Sequence, residues 1–383
     1  MSNTWWKDPA ELIPEQAKLL DTPLEQSLLI KGPPGCGKTN LLLLRANTLY
    51  IGEMPNIHIV VFGSLLKFFI QQGSEQYKFP TEKVTTHNRL FTQILVECDV
   101  VLDTSKLTFA EGRTARAEAV EKLIQDKKVG CVFDALLLDE AQDYSPAEIK
   151  IFRALTKILV AVADDRQKIY EVEDSAETLK DNVDKVYDIK YHFRNGREIC
   201  LLADGIMAGK PNHVPLIQYS RYDEAEYPSK VTPNSGMTVA EQAEAIAAQV
   251  ARQRLAYPND LIAILCPRNE ELDEIERILK ASALGPEVTR CGSLEFDSKC
   301  AVWIATMAAA KGLEFRAVHI AGLDHLSSMR GAQRRLIFTA VTRAKTAIST
   351  YHEKKIPGYL ESALRPFESE KKPINMSRIF GKE

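Results

Sequence analysis

Residues 32–39 read GPPGCGKT and fit the spacing G-x-x-x-x-G-K-[ST]. That spacing wraps the phosphates of ATP or GTP. Gly32, Gly35 and Gly37 permit backbone angles that aim successive N–H groups at one anion. Lys38 has the length to reach the β- and γ-phosphates, and the Thr39 hydroxyl can ligate Mg2+. Cys36, inside the loop, is either a small filler or a thiol whose alkylation would block nucleotide binding. A second constellation follows three leucines: Leu136-Leu137-Leu138-Asp139-Glu140-Ala141-Gln142-Asp143. Acids at the carboxyl end of a buried parallel strand sit where such sheets bind ligands. Asp139 is suited to hold Mg2+, directly or through water, and Glu140 to polarise an attacking water.

These groups need elements to hold them. An apolar run at residues 27–30 precedes the phosphate loop and reads as a buried strand. The leucines of 41–44 follow it and read as a helix whose N-terminus faces the phosphates. Strand-length apolar runs recur at 57–62, 135–138, 158–163, 261–266, 301–306 and 317–321. Amphipathic stretches such as 115–125 and 241–255 lie between them. The alternation predicts an α/β fold of parallel sheets with helices on both faces. Residues 219–237 are polar and read as a surface loop, and the acidic stretch 171–184 as the boundary between two lobes. This places an N-terminal lobe at 1–175, a C-terminal lobe at 176–367 and a charged tail at 368–383.

The 383 residues are 45% hydrophobic and 26% charged, a globular composition. No apolar run approaches the roughly 20 residues of a membrane span, and no secretory signal is visible. The seven cysteines are scattered and never CxxC, which predicts reduced thiols of a cytoplasmic protein over disulfides or zinc. Net charge is −3, which argues against an indiscriminate duplex binder. A nucleic-acid groove must therefore be local, and a single-strand channel can rely on stacking as well as charge.

The motifs resemble those of superfamily 1 helicases of the UvrD/Rep type. DEAQD at 139–143 resembles the family's motif II, and VADDRQKIY at 162–170 its GDDDQSIY. YHFRN at 191–195 resembles the NYR motif, AKGLEF at 310–315 motif V, and FTAVTRAK at 338–345 motif VI. LIPEQ at 12–16 is similar to the glutamine motif, and TTH at 85–87 to the TFH segment. These matches keep the family's order from residue 12 to 347.

The resemblance implies two RecA-like lobes forming a P-loop NTPase, with ATP and Mg2+ between them. Gln16 would read adenine and Phe193 would stack on it. Gln167 would sense the γ-phosphate from the first lobe, and Arg194 and Arg343 would reach it from the second. Gly312 and Glu314 match positions that touch phosphate and ribose. The implied activity is ATP-driven translocation or unwinding, stimulated by single-stranded nucleic acid, DNA ahead of RNA. The rival expectation is an ATP-driven switch that controls a protein partner such as a nuclease.

Nucleic-acid contacts are less defined. Phe62 is a base platform or the end of a buried strand, and His87 matches the TFH histidine. Arg113, Arg116, Lys122, Lys127 and Lys128 could touch phosphates or form a solvated helix face, and Trp5 and Trp6 could stack on a base or pack a terminus. After Tyr170 the chain reads Glu171-Val172-Glu173-Asp174, where the family has an aromatic and RGA. The family's motif V histidine is replaced near Ala308. Little room remains for the family's two large accessory insertions.

Overall fold

Each apolar run contributes one strand, and each amphipathic stretch one helix that covers a sheet face. The computed structural model describes residues 11–73, 76–169, 173–211, 213–293, 296–326 and 331–368. Trp5, Trp6, residues 170–172 and the tail beyond 368 lie outside the described residues.

The first sheet contains β1 (Leu28–Lys31), β2 (Ile57–Val61), β3 (Val84–Thr86), β4 (Phe133–Leu138), β5 (Thr156–Ala163) and β6 (Lys185–Asp188). Its order is β3-β2-β4-β5-β1-β6, with every pair parallel. The second contains β7 (Lys230–Ser235), β8 (Ile262–Cys266), β9 (Val288–Arg290), β10 (Val302–Thr306), β11 (Phe315–Ile320) and β12 (Ala344–His352). It runs β7-β12-β11-β8-β10-β9, again wholly parallel.

The first lobe carries helices α1 (Pro14–Leu20), α2 (Lys38–Ile51), α3 (Ser64–Gly73), α4 (His87–Glu97), α5 (Phe109–Gln125), α6 (Pro146–Leu155) and α7 (Ala176–Asp181). The second carries α8 (Arg197–Met207), α9 (Val239–Ala256), α10 (Asn269–Ala281), α11 (Gly331–Val341) and α12 (Gly358–Leu364). Helices cover both faces of each sheet, giving two hydrophobic cores per lobe. Four consecutive leucines, Leu41 to Leu44, are all buried, because α2 is enclosed between the sheet and neighbouring helices. Capping boxes Thr108/Glu111, Ser145/Glu148 and Thr238/Glu241 start α5, α6 and α9.

Two sequence expectations are corrected. β6 pairs with β1, so the first sheet is completed only at Asp188 and a division after residue 175 cuts it short. The 219–237 stretch is not all loop: residues 230–235 form β7, an edge strand on β12. Both are edge strands with little buried surface, so neither shows the apolar run that marks a central strand.

The lobes meet along α3. Phe69 is buried in the second lobe's core, with Leu65 packed beside it. Gly312 approaches α3 so closely that a Cβ there would lie 2.6 Å from Leu66 Cδ2, and its φ of +84° also favours glycine. Gly35 does the same from the other side. Its φ is +73°, and a Cβ would lie 2.3 Å from the Arg194 Cβ.

Candidate active site

The carboxyl ends of β1, β4 and β5 lie side by side, so the loops that leave them converge. The phosphate loop leaves β1, and Gly32 N–H donates to Ala163 O at the end of β5 (3.3 Å). Gly37 caps α2 with φ +86°, which turns the chain into the helix and leaves its first N–H groups open to the cleft. Lys38 Nζ donates to Gly32 O (2.8 Å) and Pro33 O (2.9 Å), closing the loop on itself. Cys36 is fully buried, and burial pushes its thiol up, which makes it an inert filler.

Thr39 Oγ1 donates to Asp139 Oδ2 (2.9 Å), so the two expected Mg2+ ligands already face each other. Burial, then the Glu140 charge, raises the Asp139 carboxyl to about 7. Glu140 is also buried, but Lys311, Arg343 and Lys38 outweigh desolvation and hold it below its usual range. Its backbone is left-handed (φ 50°), an uncommon conformation for a non-glycine residue. Among the described residues no three His, Cys, Asp or Glu side chains cluster as a metal cage.

The second lobe closes the cleft. Arg343 is 2% exposed and donates from Nη2 to Gln167 Oε1 in the first lobe. Nη1 and Nε donate to Leu313 O and Thr339 O, both at 3.1 Å. Burial, then the nearby Arg194 charge, lowers its guanidinium to about 10. Arg194 donates from Nε to Glu314 Oε2 (2.6 Å), while Lys345 holds Glu314 Oε1 at 2.6 Å. Burial raises the Glu314 carboxyl, but Lys345 and Arg194 prevail and bring it to about 2.

The resulting cleft has a volume of ≈510 Å3, ample for a nucleotide. Lys38, Glu140, Gln167, Arg194 and Arg343 all line it. So do Gln16, Gly35, Gly37, Thr39 and Asp139 from the first lobe, and Phe193, Gly312 and Glu314 from the second. Gly32 lies behind the loop, and Gln16 is held by Ile13 N (3.2 Å) and Cys36 O (2.9 Å). Phe193 is fastened to the phosphate loop, its N–H donating to Gly35 O (3.1 Å).

The expected nucleic-acid residues are buried or nearly so. Phe62 is 9% exposed, stacked on His87 at 4.9 Å, with the Arg113 guanidinium 5.0 Å from its ring centroid. It is a strand-end core residue, not an open base platform. His87 is completely buried, and burial lowers its imidazole to about 4, so it faces no external phosphate. Arg113 is buried against Glu148 (Nε to Oε1, 2.7 Å) and Asp143 O (2.7 Å), which removes it from the basic face. Arg116 donates to Gly112 O and Thr104 Oγ1, and only Lys122, Lys127 and Lys128 of that cluster are exposed.

Sequence reasoning missed two groups. Lys311 crosses the seam, donating to Gln167 O (2.6 Å) and pairing with Asp143 (2.5 Å) and Glu140 (3.6 Å). Gln142 and Asp164 link Glu140 to Gln167. Both lay inside recognised motifs, but side-chain partners carry no sequence signal.

Residues 301–348, spanning β10, β11, α11 and the start of β12, match the family profile described as UvrD-like helicase C-terminal domain. This segment, and not the whole lobe, is similar to that family. The matched segment supplies Gly312, Glu314, Arg316, Arg343 and Lys345 to the cleft lining, and Lys311 to the pairs with Glu140 and Asp143. A solved structure, the C-terminal domain of a possible DNA helicase from Lactobacillus plantarum WCFS1, aligns at 18% identity with a TM-score of 0.34. It covers 46% of this chain and 96% of that one. No curated protein matches the chain. Among the described residues no helix is long and apolar enough to cross a membrane.

Proposed function

We propose that this chain is an ATP-hydrolysing nucleic-acid translocase or helicase of UvrD/Rep type, stimulated by single-stranded DNA. One observation carries the reading: Arg343 of one lobe reaches Gln167 of the other, in the cleft that also holds Lys38 and Glu140. Phosphoryl transfer is catalysed by positioning and charge stabilisation, and a guanidinium fork suits the spreading charge. In this reading Lys38 releases the loop carbonyls to grip the β- and γ-phosphates. Glu140 orients the water and accepts its proton. Arg194 and Arg343 meet the developing charge, and Gln167 reports on the γ-phosphate. Thr39 and Asp139 would hold Mg2+, which when bound neutralises phosphate charge. Because the cations sit on the opposite lobe from the loop, turnover and lobe closure are coupled.

A second reading has support of its own. Phe62 and His87 are buried, and the exposed Glu173 and Asp174 would repel a phosphate backbone. These features favour an ATP-driven switch acting on a partner protein such as a nuclease. Turnover measured with and without single-stranded DNA or RNA distinguishes the two. Nucleic-acid stimulation that disappears in Glu140→Gln supports the motor, and stimulation by a protein partner alone supports the switch. Intact turnover in Lys38→Ala would sink both.

A further inference from the structure

A continuous chain of buried hydrogen bonds runs from the second lobe to Glu140. Arg343 Nη2 donates to Gln167 Oε1, and Gln167 Nε2 donates to Asp164 Oδ2 (2.8 Å). The Asp164 N–H donates to Gln142 Oε1 (2.9 Å), and Gln142 Nε2 donates to Glu140 Oε2 (2.5 Å). Gln142, Gln167 and Arg343 are each 2% exposed, and Asp164 is 4% exposed, so water does not compete.

Chemistry fixes the polarity of every link. A guanidinium and a backbone N–H can only donate, and an ionised carboxylate can only accept. Gln142 lies between an obligate donor and an obligate acceptor, so one amide orientation satisfies both. The first two bonds end on the Asp164 carboxylate and the next two start from its backbone N–H, so Asp164 joins the two pairs as one residue held from both sides. Only a primary amide of this length supplies both an acceptor for Asp164 N and a donor for Glu140. Lys311 Nζ lies 3.6 Å from the same Glu140 oxygen, so Gln142 is the hydrogen-bonding partner and Lys311 the charge partner of that carboxylate.

We propose that Gln142 is a positioning residue that aims the Glu140 carboxylate and ties that aim to the engagement of Gln167 and Arg343. The inference rests on the ATPase reading above. Because Asp164 holds Gln167 through its carboxylate and Gln142 through its N–H, a movement of Gln167 toward a bound phosphate shifts the anchor of Gln142 and with it the aim of Glu140. Lobe closure and alignment of the base thus become one event.

The test compares Gln142→Met, Gln142→Glu, Gln167→Met and the Gln142→Met/Gln167→Met double variant with the wild-type chain. Gln142→Met removes both bonds, while Gln142→Glu keeps the acceptor for Asp164 and loses the donor to Glu140. Each lowers kcat by about 10- to 100-fold, as loss of an orienting partner does. KM for ATP, and the affinity for a fluorescent ATP analogue, stay within about twofold. The double variant falls by less than the product of the two single losses, because part of the Gln167 effect passes through Asp164 and Gln142. Hydrogen exchange of the Asp164 amide, read without nucleotide, accelerates in Gln142→Met and stays slow in Gln142→Glu. Where Gln142→Met does not fold, Gln142→Glu carries the comparison. Wild-type kcat in either folded Gln142 variant, or multiplicative losses in the double variant, overturns the inference alone. A wild-type chain that never hydrolyses ATP overturns the ATPase reading and this inference with it.

Discussion

The two lobes share one architecture yet bring opposite charges to the cleft. The first lobe offers a phosphate loop and the buried acids Asp139, Glu140 and Asp143. Burial raises Asp139 to about 7 and Asp143 to about 6. The second lobe offers Arg194, Lys311, Arg343 and Lys345, held in place by Glu314 and by main-chain carbonyls. Glu314, which pairs with Arg194 and Lys345, is held near 2 by those two cations. Each half is electrostatically incomplete, and Lys311 and Arg343 enter the first lobe to balance it. Neither lobe alone could bear its half in the observed form, since unpaired buried charge is costly.

The comparison can be broken most decisively at Arg343. If the second lobe contributes transition-state charge, Arg343→Ala lowers kcat by about 1000-fold or more in steady-state turnover. Arg343→Lys rescues little, because one ammonium cannot replace the fork that spans Gln167, Leu313 O and Thr339 O. A variant with near-normal kcat would mean that the first lobe acts alone.

Lys311 comes next. Lys311→Met leaves Asp143 facing a dry seam, at a cost of about 3 kcal/mol in denaturant unfolding. Asp143→Asn with Lys311→Met recovers part of that loss, since the charge no longer needs a partner. Equal stability of Lys311→Met and wild type would show that the pair does not hold the lobes together.

A last test sharpens the comparison by failing to separate the lobes. Burial lowers His58 and His87 in the first lobe to about 4, and in the second His192 to about 4 and His319 to about 3. Their ordinary value is 6.5, so below it the unfolded chain binds more protons than the folded one. Their contribution is complete above pH 6.5 and is lost as pH falls toward 4. Thermal unfolding across this window moves down for both lobes together. A melting temperature that rises on acidification would contradict the buried neutral histidines.

Much of the site was legible because its chemistry is local. GPPGCGKT requires only adjacent residues to form an anion cradle, and DEAQD requires only the strand before it. Arg194 and Arg343 were legible through motif order, not through local pattern, since an arginine after an aromatic or on a helix is ordinary. Phe62, which the sequence leaves open between a base platform and a buried strand end, packs with His87 and Arg113, both nucleic-acid candidates by sequence. An aromatic, an imidazole and a guanidinium can cover one another, and nothing in their spacing announces it. β6 and β7 were missed for the related reason that edge strands pair through backbone groups, which every residue carries.

The sequence by itself determined the alternation of strand and helix, the phosphate loop, the acid pair after the three leucines and the pattern of motifs in the second half. These follow from hydrophobic periodicity and from backbone angles that neighbouring residues dictate. Tertiary structure alone decided which cations cross the seam, which polar side chains are dry, and that Gln142 joins Glu140 to Arg343. Those outcomes depend on groups as far apart as positions 167 and 343 meeting where water is excluded, and only there do burial and partner acquire a sign and a size.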